Sequence, residues 1–182
     1  LYKFDVLSQR GLAKIQEGLA LAFKNQPENP PRDINDLDFF KNDPRINALL
    51  TKADALGCFY VESPAMRMLM TKLSVKNYLE LVAASSVIRP GVSQSGMMRT
   101  YILRHRFPEE RKKAHPLLLD IMPETYGVMV YQEDVIKVAH YFAGLTLGEA
   151  DVLRRGMSGK FRSRGAFLVI KEKFFQNCGN KG

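Results

Sequence analysis

No apolar run in this sequence approaches the roughly eighteen residues that a membrane-spanning helix needs, so the chain offers no spanning segment. Cysteine is nearly missing: Cys58 and Cys178 stand far apart and make no metal-ligand spacing, which predicts a reducing, cytoplasmic setting. The three histidines, His105, His115 and His140, have no i,i+4 partner and no nearby cysteine, which excludes the usual zinc patterns. There is no internal repeat, no low-complexity tract, no Ser-His-Asp order and no nucleophile elbow. Gly156-Met157-Ser158-Gly159-Lys160 resembles part of a phosphate-binding loop. It fails as a Walker A motif, because Arg154 stands where the first Gly belongs and Phe161 replaces Ser/Thr. The first residues, Leu1 to Leu7, lack the apolar length of a leader and include Asp5. With no initial Met and a polar end, the chain is expected to be a piece of a longer protein.

What is present is a soluble, globular composition, 46% hydrophobic and 25% charged, over 182 residues. That length allows one domain with a real core or two small ones. The net charge of +8 is unevenly placed: residues 153–182 hold eight Lys and Arg against the single acid Glu172. Charge concentrated beside small residues points to a phosphate-gripping site, and the plainer alternative is a solvated basic face.

The pattern is mostly helical. Residues 1–5 read as a short strand leading into a helix over 11–24, where Leu12, Ile15, Leu19 and Phe23 recur at helical spacing. Asn25 to Pro31 is a proline-rich break and a candidate sub-boundary. The cluster Asp33, Asp36 and Asp38 lacks the Gly and terminal Glu of a calcium loop and reads as a polar helix start. Asp43-Pro44 and Ser63-Pro64 each give an N-cap followed by Pro at the first helical position. Ser74 is expected to cap a helix through about Ala84. Cys58 to Val61 and Tyr126 to Tyr131 suggest short strands. Arg89-Pro90-Gly91 predicts a tight turn in which Pro fixes φ and Gly frees it. Further helices are expected over about 94–105, 114–122 and after Gln132, the last with Val135, Val138, Ala139 and Phe142 on one face. Thr146-Leu147-Gly148-Glu149 has the form of a capping box, opening a helix into Arg154 and Arg155. A last helix over about 163–177 points Phe167, Ile170 and Phe174 inward.

Two places carry chemistry. Strand alternation puts Lys3 and Asp5 on one face, a cation and a carboxylate fit for half of a metal–phosphate site, with a surface ion pair as the plainer alternative. Arg154 and Arg155 are adjacent on a helix, about 100° apart, and can approach one ligand from neighbouring directions. Together with Arg89 they form the strongest phosphate-binding candidate, since guanidinium groups contact phosphate bidentately. Gly156 and Gly159 would let backbone and ligand approach closely.

Several strings together resemble the alpha subunit of bacterial DNA polymerase III, the C family of replicative DNA polymerases. They are Lys3 to Leu7, Gly57 to Ser63 with Met66, and Ile88 to Gly91 with Gln94 to Met97. The longest are Glu124 to Glu133 and Leu147 to Arg155. Order and spacing agree across about residues 1–160.

The resemblance implies a mainly α fold with a few short strands, residues 1–6 being the last palm strand and 7–182 the fingers. It implies that Asp5 is one of three carboxylates that bind two magnesium ions in the intact enzyme, its partners lying outside this chain. Lys3, Arg154 and Arg155 would contact the triphosphate of the incoming deoxynucleotide. Arg89 and Tyr131 would shape the nucleotide pocket or serve as turn and core residues, and Lys160, Arg162 and Arg164 would meet the nucleic-acid backbone. The implied partners are primer-template DNA, deoxynucleoside triphosphates and, through the parent protein, the sliding clamp and other replisome subunits. The fragment alone is expected to be inactive. The competing reading is a non-catalytic helical module that binds nucleic acid through its basic end. Many members follow the paired arginines with Ala-Met-Gly and a lysine run, where this chain has Gly156-Met157-Ser158-Gly159, then Lys160, Arg162 and Arg164. Val92-Ser93 also stands where Pro is common. These departures fit either a lineage variant or a specialised, error-prone paralogue.

Overall fold

A computed structural model of the chain describes residues 10–157 and 164–180, and every regular element among them is helical. It divides into two compact units, Leu1–Asn42 and Asp43–Gly182. The strand expected over residues 1–5 lies outside the described residues.

In the first unit, α1 (Arg10–Asn25) carries the predicted apolar stripe, with Leu12, Ile15 and Phe23 exposed and no residue buried. The chain leaves α1 at the proline-rich break and re-enters a helix at α2 (Leu37–Asn42). The acidic cluster is a helix start, as read. Asp36 Oδ1 accepts from the Phe39 amide at 3.2 Å, and Asp33 Oδ1 accepts from the Asn35 amide at 2.9 Å. Arg32 lies 3.7 Å above the centre of the Phe39 ring.

The second unit opens with two helices begun as their sequences require. In α3 (Pro44–Lys52) the Asp43 carboxylate accepts from the Arg45 amide at 2.8 Å. In α4 (Pro64–Leu73) Ser63 Oγ accepts from the Met66 amide at 3.3 Å. Ser74 does not start the next helix. It adopts a left-handed conformation that ends α4, and Asn77 caps α5 (Tyr78–Val87) through its side chain to the Glu80 amide.

Arg89-Pro90-Gly91 breaks the chain by its proline alone. Arg89 is the extended N-cap residue of α6 (Pro90–Gln94), and Gly91 sits inside that helix without using its freedom of φ. Gly96, at φ +82°, makes the turn into α7 (Met97–Arg106). After a 3-10 turn the chain forms α8 (Pro116–Ile121). It then runs through α9 (Gln132–Lys137), a π-helical turn over Val138–Phe142, α10 (Leu147–Met157) and α11 (Arg164–Gly179).

Neither internal strand forms among the described residues. At 58–61 the chain reverses, with Gly57 at φ +80° and Tyr60 at +69°, and the Glu62 carboxylate accepts from the Gly57 amide at 3.0 Å. At 126–131 the left-handed Tyr126 and Gly127 turn the chain. The buried Asp134 carboxylate then takes the amides of Val130 (2.9 Å) and Tyr131 (2.8 Å), donors that a β-ladder would have used.

Two cores hold this unit. The first gathers Met66, Leu69, Met70, Leu73, Val87 and Tyr101 with Val128 and Val130. Ile88, Val92 and Tyr131 pack at its margin. Each fully buried side chain of this size contributes about 1.5–3 kcal/mol. His105 links its parts: Nε2 lies 2.7 Å from the Leu73 carbonyl and Nδ1 3.1 Å from the Tyr126 hydroxyl. The second core joins Ala139, Ala143, Leu145, Ala150 and Leu153 to Phe167, Ile170 and Phe174 of α11, the inward stripe read from the sequence.

Candidate functional site: a braced arginine pair on helix 10

The site begins with the start of α10. Thr146 Oγ1 accepts from the Glu149 amide at 3.3 Å, and Glu149 Oε2 accepts from the Thr146 amide at 2.9 Å, the capping box expected from the sequence. Glu149 also pairs with Lys173 of α11 at 2.6 Å. The Lys173 ammonium, with the Thr146 donors, pulls the Glu149 carboxyl down to about 2. Asn177 Nδ2 donates to the Ala143 carbonyl at 2.7 Å, so α11 is tied to this region by polar as well as apolar contacts.

With Ala150 and Leu153 buried in the second core, helical geometry places Arg154 beside that face and turns Asp151 and Arg155 further toward solvent. One carboxylate serves both arginines. Asp151 Oδ1 accepts from Arg154 Nη2 at 2.7 Å and Nε at 3.1 Å, and Asp151 Oδ2 lies 2.9 Å from Arg155 Nε. The Arg154 hydrogen bonds, with the Arg155 charge behind them, hold the Asp151 carboxyl below its ordinary value. Arg154 also donates through Nη1 to Gln132 Oε1, 3.1 Å away on the first turn of α9. Partly solvated pairs like these stabilise a fold by at most about 1 kcal/mol each. Their effect is therefore geometric: two long side chains are held in one arrangement near the helix C-terminus, where positive charge is favoured.

Tyr131 stands next to Gln132 as the N-cap residue of α9. Its ring packs on the first core, and burial, with Asp134 and Glu124 nearby, pushes its hydroxyl pKa up. The structure thus brings Arg154, Arg155 and the Tyr131–Gln132 corner into one neighbourhood. Arg89 is placed differently, exposed at the N-cap of α6 with its neighbours Ile88 and Val92 on the first core. Lys3, Asp5, Lys160 and Arg162 lie outside the described residues, and of Arg164 only the backbone, in the first turn of α11, is described.

Gly156 has another role than the one expected. A Cβ there would run into the Phe167 ring, so the missing side chain makes room for α11 and not for a ligand. An apolar cleft of about 220 Å³ opens beside this contact, lined by Met129, Val138, Leu153, Phe167 and Phe174. Sequence reasoning also passed over Asp151, Gln132 and Asp134. Asp151 had a local signal, an acid three and four residues before two arginines. Gln132 had none, because its partner is twenty-two residues away.

Among the described residues no three His, Cys, Asp or Glu side chains come together as metal ligands. The two acids on α10 nearest the arginines are already engaged, Asp151 by the arginines and Glu149 by Lys173. The described residues therefore do not fit a magnesium site. No described helix is long and apolar enough to cross a membrane.

A helical unit that presents a braced pair of guanidinium groups is thus what the fold and the site define. Residues 12–182 match the family model of the bacterial DNA polymerase III alpha subunit finger domain. The chain is 37% identical over all 182 residues to a DNA polymerase III subunit alpha of Staphylococcus aureus (strain COL), covering 16% of that protein. It is equally similar to the one from Aquifex aeolicus (strain VF5), of which it covers 15%. The chain belongs to the bacterial DNA polymerase III alpha subunit finger domain family. It spans about a sixth of the length of these relatives.

Proposed function

We propose that this segment is the fingers region of a DNA-directed DNA polymerase, in which Arg154 and Arg155 contact the triphosphate of the incoming deoxynucleotide. Residues 7–182 are the fingers and 1–6 the end of the palm. The observation that carries the reading is the guanidinium pair, oriented by one carboxylate at the end of α10 in a chain of this family. Such a pair meets the charge of a triphosphate with directed N–H donors. During nucleotidyl transfer it stabilises the negative charge that builds on the departing pyrophosphate. Lys3 shares the triphosphate, and Arg89 and Tyr131 shape the pocket. Lys160, Arg162 and Arg164 contact the nucleic-acid backbone. In the same reading Asp5 shares in binding two magnesium ions of the intact subunit, with carboxylates elsewhere in the parent chain. Primer-template DNA and the replisome, sliding clamp included, are the partners of that parent.

The test is Arg154→Ala and Arg155→Ala in the full-length subunit. Each removes charge-assisted hydrogen bonds, so kcat/KM for the nucleotide falls by about ten- to a hundredfold while primer-template affinity is kept. Parallel loss of DNA binding and activity favours the alternative, a helical module that binds nucleic acid through its basic end.

A further inference from the structure

We infer that Asp151 is the positioning residue of the nucleotide site, with Gln132 as its auxiliary: the two aim Arg154 and Arg155 before the nucleotide arrives. The inference rests on the proposed role of the arginines.

Arginine has five N–H donors. In Arg154 three are committed inside the fold: Nε and one on Nη2 to Asp151 Oδ1, and one on Nη1 to Gln132 Oε1. One N–H on each terminal nitrogen is left for a ligand. The guanidinium is thereby fixed in plane and in direction from two helices, α9 and α10. Asp151 Oδ2 holds Arg155 through Nε, so one carboxylate sets both groups at once. Without these contacts the Arg154 side chain would have to be ordered by the nucleotide itself, a loss of about two- to tenfold in affinity. The charge balance suits the task. Two guanidiniums and one carboxylate leave a net positive cluster that attracts a triphosphate without Asp151 having to depart.

Asp151 touches neither substrate nor metal in this scheme and acts only through the arginines. Its signature is therefore a KM effect that vanishes when they are gone. The experiment compares Asp151→Asn, Asp151→Glu and Gln132→Ala in the full-length subunit, alone and combined with Arg154→Ala/Arg155→Ala. It measures nucleotide KM, kcat, primer-template Kd and melting temperature. Asp151→Asn is expected to raise KM about tenfold, with primer-template Kd and melting temperature unchanged. Asp151→Glu restores most of the loss, and Gln132→Ala gives a smaller rise. In the arginine double variant, Asp151→Asn adds nothing.

An unchanged or lowered KM in Asp151→Asn, alongside a raised one in the arginine variants, overturns the positioning role and leaves the nucleotide reading standing. An additive effect in the arginine double variant overturns it as well. If the arginine variants themselves keep normal kcat and KM, the nucleotide reading fails and takes this inference with it. If Asp151→Asn melts early, the exposed Gln132 decides, and a normal KM in Gln132→Ala overturns the scheme.

Discussion

At the scale of single residues, two carboxylates do more than the basic residues that first draw the eye. Asp134 is 1% exposed and spends one oxygen on the Val130 and Tyr131 amides. Asp134→Ala leaves both donors without that acceptor and is expected to cost about 1–3 kcal/mol, read as a lowered urea midpoint of the chain. A loss of stability under a few tenths of a kcal/mol, well below the low end expected, would show that water replaces the carboxylate. Asp151 holds the arginines as long as it stays ionised. Its folded pKa is depressed, so the pairing is complete above the ordinary value of 3.8 and is lost only as the pH falls below it. Much of this was legible. The Asp43 and Ser63 caps, the Thr146–Glu149 box and the adjacent arginines are all local patterns with local causes. Gln132 was not legible, because its contact with Arg154 exists only once α9 and α10 have packed.

Among elements, the sequence erred where it looked for strands. Apolar runs such as Cys58 to Val61 and Tyr126 to Tyr131 carry the composition of strands, yet a strand needs a partner for its amides. Left-handed residues and side-chain carboxylates satisfy these segments locally instead, and nothing in a period-two pattern reveals that. The helices came out better because their signals, a cap, a proline and an apolar stripe, lie within a few turns of each other. The attachment of α11 has its own pH signature. Glu149 has a depressed folded pKa, so the Lys173 contact contributes fully above the ordinary 4.5 and disappears as the pH falls toward about 2. The protection of the α11 amides, taken relative to their intrinsic exchange rate at each pH, is expected to fall over that interval in wild type. A Glu149→Gln variant should exchange faster already at pH 6, and identical profiles for the two proteins would refute the role of the pair.

For the whole molecule, the distribution of buried residues matters most. Every buried hydrophobic side chain among the described residues lies beyond residue 52, and both cores belong to the second compact unit. A chain cut to residues 43–182 is therefore expected to keep its helical circular dichroism and a cooperative unfolding transition. A broad, non-cooperative melt of the truncated chain would show that the first unit is needed for folding. The family's name followed from strings spread along the sequence, whereas the grouping of Tyr131, Gln132, Asp151 and the two arginines required the folded chain. The residues that link them are separated by some twenty positions in sequence.

The fit between Gly156 and Phe167 has a consequence for exchanging parts between relatives. The family pattern this sequence resembles would place Ala after the paired arginines, and here the Phe167 ring occupies the space its methyl group would need. Position 156 is thus not a free site for a consensus substitution, although Ala favours a helix by about 1 kcal/mol. Overpacking costs about 1–3 kcal/mol, so Gly156→Ala alone is expected to destabilise the chain. Paired with Phe167→Leu, the same alanine should turn neutral or favourable, a reversal of sign that a double-mutant cycle measures directly. A segment grafted from a relative will seat here only if both positions travel together.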